Sequence, residues 1–219
     1  TIDEGAFGLC HNLEKIEFSP NSNLTSIGPV AFYKSKIEYI IIPEKVSELK
    51  ERWCYGIKEN TKITVEKSNQ FFKSVDDKYI VGKTNNEYDV LYFVQRGIEN
   101  FTIPNYIQKI ETCCFSECNK LENIEISEDS KLKEIGKWAF YNLRIKSFSF
   151  PKKLEKIDSL AFCKCNYLQT IIFTSTIKLP SIEKNAFYNC PIKNINVPDN
   201  SFNTTNKDLC NYQYIDKSS

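Results

Sequence analysis

A motif repeated in register places the strongest constraint on how this chain can fold. Its frame is Ile, three variable residues, Ala-Phe, two variable residues, Cys or a substitute, and then Leu/Ile-x-x-Ile-x-Ile/Phe. Self-similarity at a period of roughly 20–50 residues is typical of solenoids, in which each unit buries its apolar face only by stacking on its neighbours. Trp53 fits as a degenerate seventh anchor. The six phenylalanine anchors are Phe7, Phe32, Phe115, Phe140, Phe162 and Phe187.

The spacing of the anchors indicates where the chain accepts extra length. Phe7 to Phe32, Phe115 to Phe140, and Phe162 to Phe187 are each 25 residues, whereas Phe32 to Trp53 is 21. The longer repeats carry their additional residues at one corner, ahead of the second Leu. Insertions in a solenoid cost little when they lie in loops on one face.

One interval is far longer than the rest. Trp53 to Phe115 is 62 residues, and the excess lies at about 66–102. Within it, KYIVG and DVLYFV predict two strands, and KTNNEY predicts the turn between them. We interpret this segment as a β-hairpin island that projects from the solenoid.

The apolar pattern predicts the shape of one unit. Alternation at the end of Leu-x-x-Ile-x-Ile is typical of a strand with one buried face, and successive strands would stack as a parallel sheet. The anchor Phe would lie on the opposite wall and fill the interior, with the preceding Ala leaving room for close packing.

At these residues the chain resembles the BspA-like (Treponema pallidum type) leucine-rich repeat. The resemblance covers about residues 2–198, and its best local match is 103–126. The phrase FSPNSNLTSIG at 18–28 resembles the subtype expanded in parasitic protists such as Trichomonas and Entamoeba. The resemblance implies a cell-surface or secreted protein used in adhesion or recognition, with no catalytic activity and no fixed binding residues.

Pattern and resemblance together predict an α/β repeat fold. We expect a right-handed leucine-rich-repeat solenoid of about seven coils, with a parallel sheet on one face and the inserted hairpin. It would form a single domain over 1–198, and 199–219 would be a C-terminal cap or tail. The chain has no Met and begins inside the pattern, so we expect a fragment of a longer protein.

Composition excludes several classes of function. A formal net charge of +1 gives no electrostatic footprint for nucleic acid or an anionic membrane, and no apolar run approaches the roughly 18 residues that insert in a bilayer. One His and seven Gly leave little for His-dependent catalysis or phosphate-binding loops. We therefore expect no enzyme activity and no cofactor.

The cysteines are the most reactive residue type in the sequence. Cys10, Cys118, Cys165 and Cys190 all lie three residues after an anchor, which predicts small, buried, apolar side chains. The CC and CKC sequences lack zinc-site spacing, so no metal site is expected. A Cys165–Cys190 disulfide between adjacent coils stays open, although side chains that point the same way disfavour it.

Three N-glycosylation sequons occur, at Asn23, Asn100 and Asn203. About three are expected by chance at this Asn, Ser and Thr content, so they are compatible with secretion without indicating it. Asn23, at the corner loop, would be the best-placed acceptor.

The outward positions of the predicted strands form the candidate binding surface. Most are small and polar, and the apolar exceptions Tyr39, Ile41 and Ile172 suggest contact with a partner. The island aromatics form a second candidate, although most of them would pack against the solenoid: Phe71, Phe72, Tyr79, Tyr88, Tyr92 and Phe93. The strand positions are Lys15, Glu17, Tyr39, Ile41, Asn123, Glu125, Ser147, Ser149, Thr170, Ile172, Asn194 and Asn196.

These features predict a non-enzymatic binding module at the cell surface or secreted, with a protein or glycan partner. The alternative is an intracellular scaffold or cytoskeleton-associated repeat protein, because nine cysteines suit the cytosol at least as well. The sequence leaves the ligand, the binding face and the oligomeric state open.

Overall fold

A computed structural model describes residues 1–174 and 179–198, and these residues form sixteen β-strands and no helix. The α/β class predicted from the sequence is therefore wrong for the described residues, which form a β-solenoid of about seven turns. The strands are β1 Ser26–Ile27, β2 Tyr39–Ile42, β3 Glu48–Leu49, β4 Lys62–Val65, β5 Phe72–Val75, β6 Tyr79–Thr84, β7 Glu87–Val94, β8 Asn100–Ile103, β9 Lys109–Ile110, β10 Asn123–Ile126, β11 Glu134–Ile135, β12 Ser147–Phe150, β13 Lys156–Ile157, β14 Thr170–Phe173, β15 Ser181–Ile182 and β16 Asn194–Asn196.

Parallel strands stack on two faces of the solenoid. The predicted face carries longer strands, paired as β2–β4, β8–β10 and β12–β14–β16. A second ladder of two-residue strands lies at the Ile ahead of each Ala-Phe, paired as β1–β3 and as β9–β11–β13–β15. The sequence did not predict the second ladder, because two residues are too few to show an alternating pattern.

Each anchor lies in a wide turn. Two residues with positive φ flank the centre of the turn, one two positions before it and one two positions after it. In the fourth coil these are Cys113 and Glu117 around Phe115, and the Glu117 N–H donates to Tyr141 O of the next coil at 3.0 Å. In the third coil the pair is Arg52 and Gly56, so the turn is centred on Cys54 and not on Trp53. The seven pairs are Gly5/Leu9, Val30/Lys34, Arg52/Gly56, Cys113/Glu117, Trp138/Asn142, Leu160/Lys164 and Asn185/Asn189.

The two strands predicted in the inserted segment pair as the hairpin β6–β7, but this hairpin is part of the sheet and does not project as an island. β5, β6 and β7 pair in antiparallel order, and β7 then pairs parallel with β9 through Leu91 and Ile110. The Val94 N–H donates to Cys114 O, as the Phe115 N–H donates to Ala139 O one coil further on. Residues 89–103 thus form a shortened coil that lacks the wide turn.

The anchors form the core, as predicted. The rings of Phe115, Phe140, Phe162 and Phe187 stack in succession, with centroids 4.9, 4.8 and 5.2 Å apart. Phe7 also stacks on Phe32, at 5.9 Å.

The insertion divides the core into two clusters. One cluster spans the first three coils and includes Ile80 and Phe93 of the insertion, whereas the other spans the later coils and includes Val81 and Leu91. Alternate residues of β6 and β7 therefore face opposite ways and pack against both halves of the solenoid.

The cysteine slot behaves as predicted in the later coils. The Cys165 thiol donates to Phe140 O at 3.0 Å, and the Cys190 thiol donates to Phe162 O at 2.9 Å. The described cysteines form no disulfide, so the Cys165–Cys190 bond left open by the sequence is absent. Cys10 differs from the prediction because it is only half-buried.

Candidate binding surface

The twelve residues predicted for the binding surface all lie on one outward face, and none is buried. β12 shows why, since Phe148 and Phe150 point into the core while Ser147 and Ser149 point to solvent. Strand pairing sets these residues in two rows, which we call the outer ladder. Ile41 is 38% exposed, and Tyr39 and Ile172 are half-buried.

Side-chain hydrogen bonds link neighbouring coils along the outer ladder. Asn123 Nδ2 donates to Asn100 Oδ1 at 2.9 Å, and Thr102 Oγ1 donates to Glu125 Oε2 at 3.0 Å. The Tyr39 hydroxyl lies 3.2 Å from Thr64 Oγ1. These bonds hold the exposed groups in place before any partner arrives.

Four members of the outer ladder were missed by sequence reasoning: Lys62, Thr64, Asn100 and Thr102. They lie on β4 and β8, which belong to the degenerate third coil and the shortened coil. The signal that could have found them is alternation, since KITV and NFTI each place apolar residues at every second position.

Two grooves lie at places where neighbouring strands along the outer ladder are not paired with each other. Between β4 and the insertion, a groove of about 550 Å³ is lined by Tyr39, Lys62 and Asp77 among others. Between β10 and β12, which do not pair, a groove of about 810 Å³ is lined by residues of both strands and of the corners that precede them. The second lining comprises Glu99, Asn119, Lys120, Glu122, Asn123, Ile124, Arg144, Lys146, Ser147 and Tyr167.

The grooves carry charges of both signs. Lys62 pairs with Asp77 at 2.8 Å, and the hydrogen bond from this ammonium to the carboxylate raises the pKa of Lys62. Lys120 pairs with Glu59 at 2.6 Å. Arg144 and Lys146 form no ion pair with a described residue, which leaves two cations available in the larger groove.

The aromatic residues of the insertion serve mainly as packing. Phe72 and Phe93 are buried, and Tyr79 meets Phe101 edge-on at 5.4 Å. Phe71 is the exception at 47% exposure. Tyr79, Tyr88 and Tyr92 are half-buried, so Phe71 is the most exposed member of this second predicted surface.

Two sequons lie in the described residues, and both acceptors are exposed. Asn23 Oδ1 accepts a hydrogen bond from Lys45 Nζ at 2.7 Å, at a corner loop. Asn100 lies within the outer ladder itself, so a glycan there would cover it. Asn203 and Cys210 lie outside the described residues.

The buried cysteines are poorly suited to nucleophilic chemistry. Burial raises the pKa of Cys54 to about 11 and that of Cys113 to about 12, which keeps both protonated at neutral pH. Over residues 1–174 and 179–198, no three Cys, His, Asp or Glu side chains are placed to hold a metal ion. The same residues contain no helix that could cross a membrane.

Stacked coils with a hydrogen-bonded polar face define a solenoid of the leucine-rich-repeat class. The chain belongs to the BspA type leucine rich repeat family, whose model matches six copies over residues 1–77 and 89–215. The unmatched residues 78–88 cover β6 and the turn into β7, so the family frame resumes where the shortened coil begins. No curated protein matches the sequence significantly.

Solved bacterial structures share the fold at low sequence identity. A leucine-rich repeat protein from Eubacterium ventriosum is 22% identical with a TM-score of 0.72, covering 90% of this chain and 57% of that one. A leucine rich cell surface protein from Faecalibacterium prausnitzii is 22% identical, with a TM-score of 0.65 and coverage of 97% and 59%. The pneumococcal vaccine antigen PcpA is 22% identical, with a TM-score of 0.61 and coverage of 87% and 54%. This chain therefore spans less than two thirds of each.

Proposed function

We propose that this chain is a non-enzymatic binding module of a cell-surface or secreted recognition protein. It holds a protein or glycan partner against the outer ladder, in adhesion to a host or matrix component. The observation that carries the proposal is the ladder itself, whose exposed polar groups are hydrogen-bonded from coil to coil beside two grooves. A rigid surface of this kind lowers the ordering cost of association.

The similar structures support this function and the cell-surface location. One is described as a cell surface protein and another as a vaccine antigen. The three reported structures are bacterial, and we propose the protist subtype for this chain on the resemblance of residues 18–28. The mixed charges in and beside the two grooves favour a protein or glycan over nucleic acid.

The thiols favour a second candidate, an intracellular scaffold. Eight cysteines lie in the described residues and none forms a disulfide. Thiols persist most readily in a reducing compartment. Antibody labelling of unpermeabilised source cells separates the candidates, because label that needs permeabilisation contradicts a surface location.

Matched arginine substitutions test the binding face. Ser149→Arg places a large cation on the outer ladder, while Ser181→Arg places one on the second ladder, in β15. Both serines are exposed. The proteins would be screened against immobilised matrix proteins and a glycan array. We expect Ser149→Arg to weaken binding of the partner found at least about tenfold, or about 1.4 kcal/mol, while Ser181→Arg binds as the wild type does. Equal binding by both variants would contradict the outer ladder as the contact surface.

A further inference from the structure

The wide turns of successive coils form a wall, and the shortened coil leaves a gap in it. The turn at 51–56 and the turn at 112–117 have no wide turn between them, because residues 89–103 supply none. Tyr55 reaches Tyr141 across this region, with ring centroids 6.2 Å apart. A cavity of about 170 Å³ opens here, lined by Arg52, Tyr55, Cys113, Trp138 and Tyr141.

In this wall cavity Arg52 makes cation–π contacts with two aromatic rings. Its guanidinium carbon lies 4.3 Å from the ring centroid of Tyr55 and 5.0 Å from that of Trp138. The rings are themselves fixed, since Tyr33 stacks on Tyr55 at 5.6 Å and the Lys137 ammonium lies 4.0 Å from the Trp138 centroid. Arg52 makes no side-chain hydrogen bond or ion pair with a described residue, so its N–H donors remain available to a ligand.

A second cation, Arg96, contacts Cys113, which is one of the residues that line the cavity. Arg96 is buried and donates to Cys113 O at 3.2 Å and to Cys114 O at 2.6 Å, without a carboxylate partner among the described residues. The acids nearby are Glu51, which lies 3.7 Å from Lys137, and Glu117, which raises the pKa of Tyr55 together with the larger effect of burial. Two guanidinium groups without a carboxylate partner favour an anion in the cavity.

The geometry specifies the kind of anion. A planar guanidinium that makes no hydrogen bond with a described residue offers an edge of N–H donors, which matches a carboxylate in bidentate fashion. The cavity is smaller than the roughly 300–1,000 Å³ of a drug-sized site, so it takes one small group. Its aromatic rings and tyrosine hydroxyls suit a sugar ring, which presents both C–H and O–H groups.

A peptide carboxylate fits less well. Capture of a chain terminus uses available backbone N–H groups. Around this cavity the N–H groups of Cys113 and Glu117 already donate to Lys137 O and Tyr141 O of the next coil.

We propose that the wall cavity binds the acidic sugar residue of a glycan, with its carboxylate on the edge of Arg52 and its ring beside Tyr55 and Trp138. This site deepens the proposed binding function, on which it rests, and lies apart from the outer ladder. The partner of the whole module would then be, or would carry, an acidic glycan.

Indole NMR signals provide a direct test. The chain has two tryptophans, with Trp138 at the cavity and Trp53 buried in the core, so the Trp53 signal serves as an internal control. Glucuronic acid and N-acetylneuraminic acid would be titrated in parallel with glucose. We expect saturable shifts of the Trp138 indole with a Kd of roughly 1–10 mM for at least one acidic sugar, and none for glucose.

Arg52 variants complete the test. Arg52→Lys keeps the charge but loses the planar fork, and we expect about tenfold weaker binding, with no saturable shift in Arg52→Gln. Absence of saturable binding by both acidic sugars would overturn the proposal, as would equal affinity of wild type and Arg52→Gln. Tighter binding of a short peptide with a free carboxyl terminus would overturn the assignment to a sugar. The Ser149→Arg variant should bind acidic sugars normally, which separates failure of this site from failure of the outer ladder.

Discussion

Each anchor phenylalanine supports the coils on both sides of it. Phe140 is fully buried, stacks between Phe115 and Phe162, and also meets Phe148 at 5.1 Å. A side chain with neighbours on every side leaves a cavity that the surrounding coils cannot fill when it is removed.

We therefore expect Phe140→Ala to lower the free energy of unfolding by roughly 3–5 kcal/mol, measured by urea denaturation. Phe71→Ala is the matched control, because Phe71 is 47% exposed, and its effect should stay within about 0.5 kcal/mol. An unchanged midpoint in Phe140→Ala would show that the anchor does not face the core.

Thiol reactivity should follow burial. Burial raises the pKa of Cys54 and of Cys163 to about 11, so about 1% of either thiol is ionised at pH 9 in the folded protein. An unfolded cysteine, with a pKa of about 8.5, is mostly thiolate at that pH. Raising the pH from 7 to 9 should therefore leave both residues almost unlabelled by iodoacetamide in the native protein and fully labelled in urea. Peptide mass spectrometry measures each site, with the half-buried Cys10 as the reactive control; rapid native labelling of Cys54 would contradict the packing.

At the scale of elements, the insertion is tied to the second coil by one buried amide. Asn69 Nδ2 donates to Pro43 O at 2.7 Å and to Val46 O at 2.9 Å. Its Oδ1 accepts from the N–H groups of Phe71 and Phe72, both at 2.8 Å. The side chain thus uses all four of its strong hydrogen-bonding positions to fix the start of β5.

Asn69→Leu should destabilise the fold by roughly 2–4 kcal/mol, because it leaves buried backbone groups without partners. The neighbouring Gln70→Leu serves as the control, since Gln70 is exposed and its side-chain amide donates to Ser68 O two residues away. Thermal unfolding of the two variants side by side is the measurement. Equal stability of the two would mean that β5 is positioned by packing alone.

At the scale of the whole molecule, two cores are joined through the insertion and through Arg96. Its guanidinium lies 3.5 Å from Cys54 Sγ in the first cluster and 3.6 Å from Cys118 Sγ in the second. It also lies 4.7 Å from the ring centroid of Phe93. A buried arginine with these contacts couples the two halves, so that they should unfold together.

Arg96→Ala should cost roughly 2–5 kcal/mol and separate the unfolding of the halves, because it leaves a cavity and removes the guanidinium that contacts Cys54 in one cluster and Cys118 in the other. Hydrogen exchange should show amides of the first three coils and of the later coils opening at different denaturant concentrations. Arg144→Ala is the exposed control and should keep one transition. A single, coincident transition in Arg96→Ala would show that packing of β6 and β7 alone couples the cores.

The repeat itself was predictable from the sequence. Anchors such as Phe140 and the alternation of SFSF report one-dimensional periodicity, and a solenoid converts that periodicity directly into stacking. The degenerate parts were harder to predict. The frame has a small residue followed by a large one, as in Ala-Phe, whereas Trp53-Cys54 has the large residue first. The sequence pattern therefore placed the anchor at Trp53, one residue before the centre of the turn.

The sequence by itself determined the stacking of the coils, the buried face and the family, because each coil repeats the same local pattern of apolar side chains. Tertiary structure alone decided that the insertion joins the second ladder, that Arg96 bridges two cores, and that Arg52 contacts the ring of Trp138. The contact of Arg96 with Cys54 joins residues 42 positions apart, and that of Arg52 with Trp138 joins residues 86 positions apart. No local period records a contact of that kind, since it is set by how irregular coils stack.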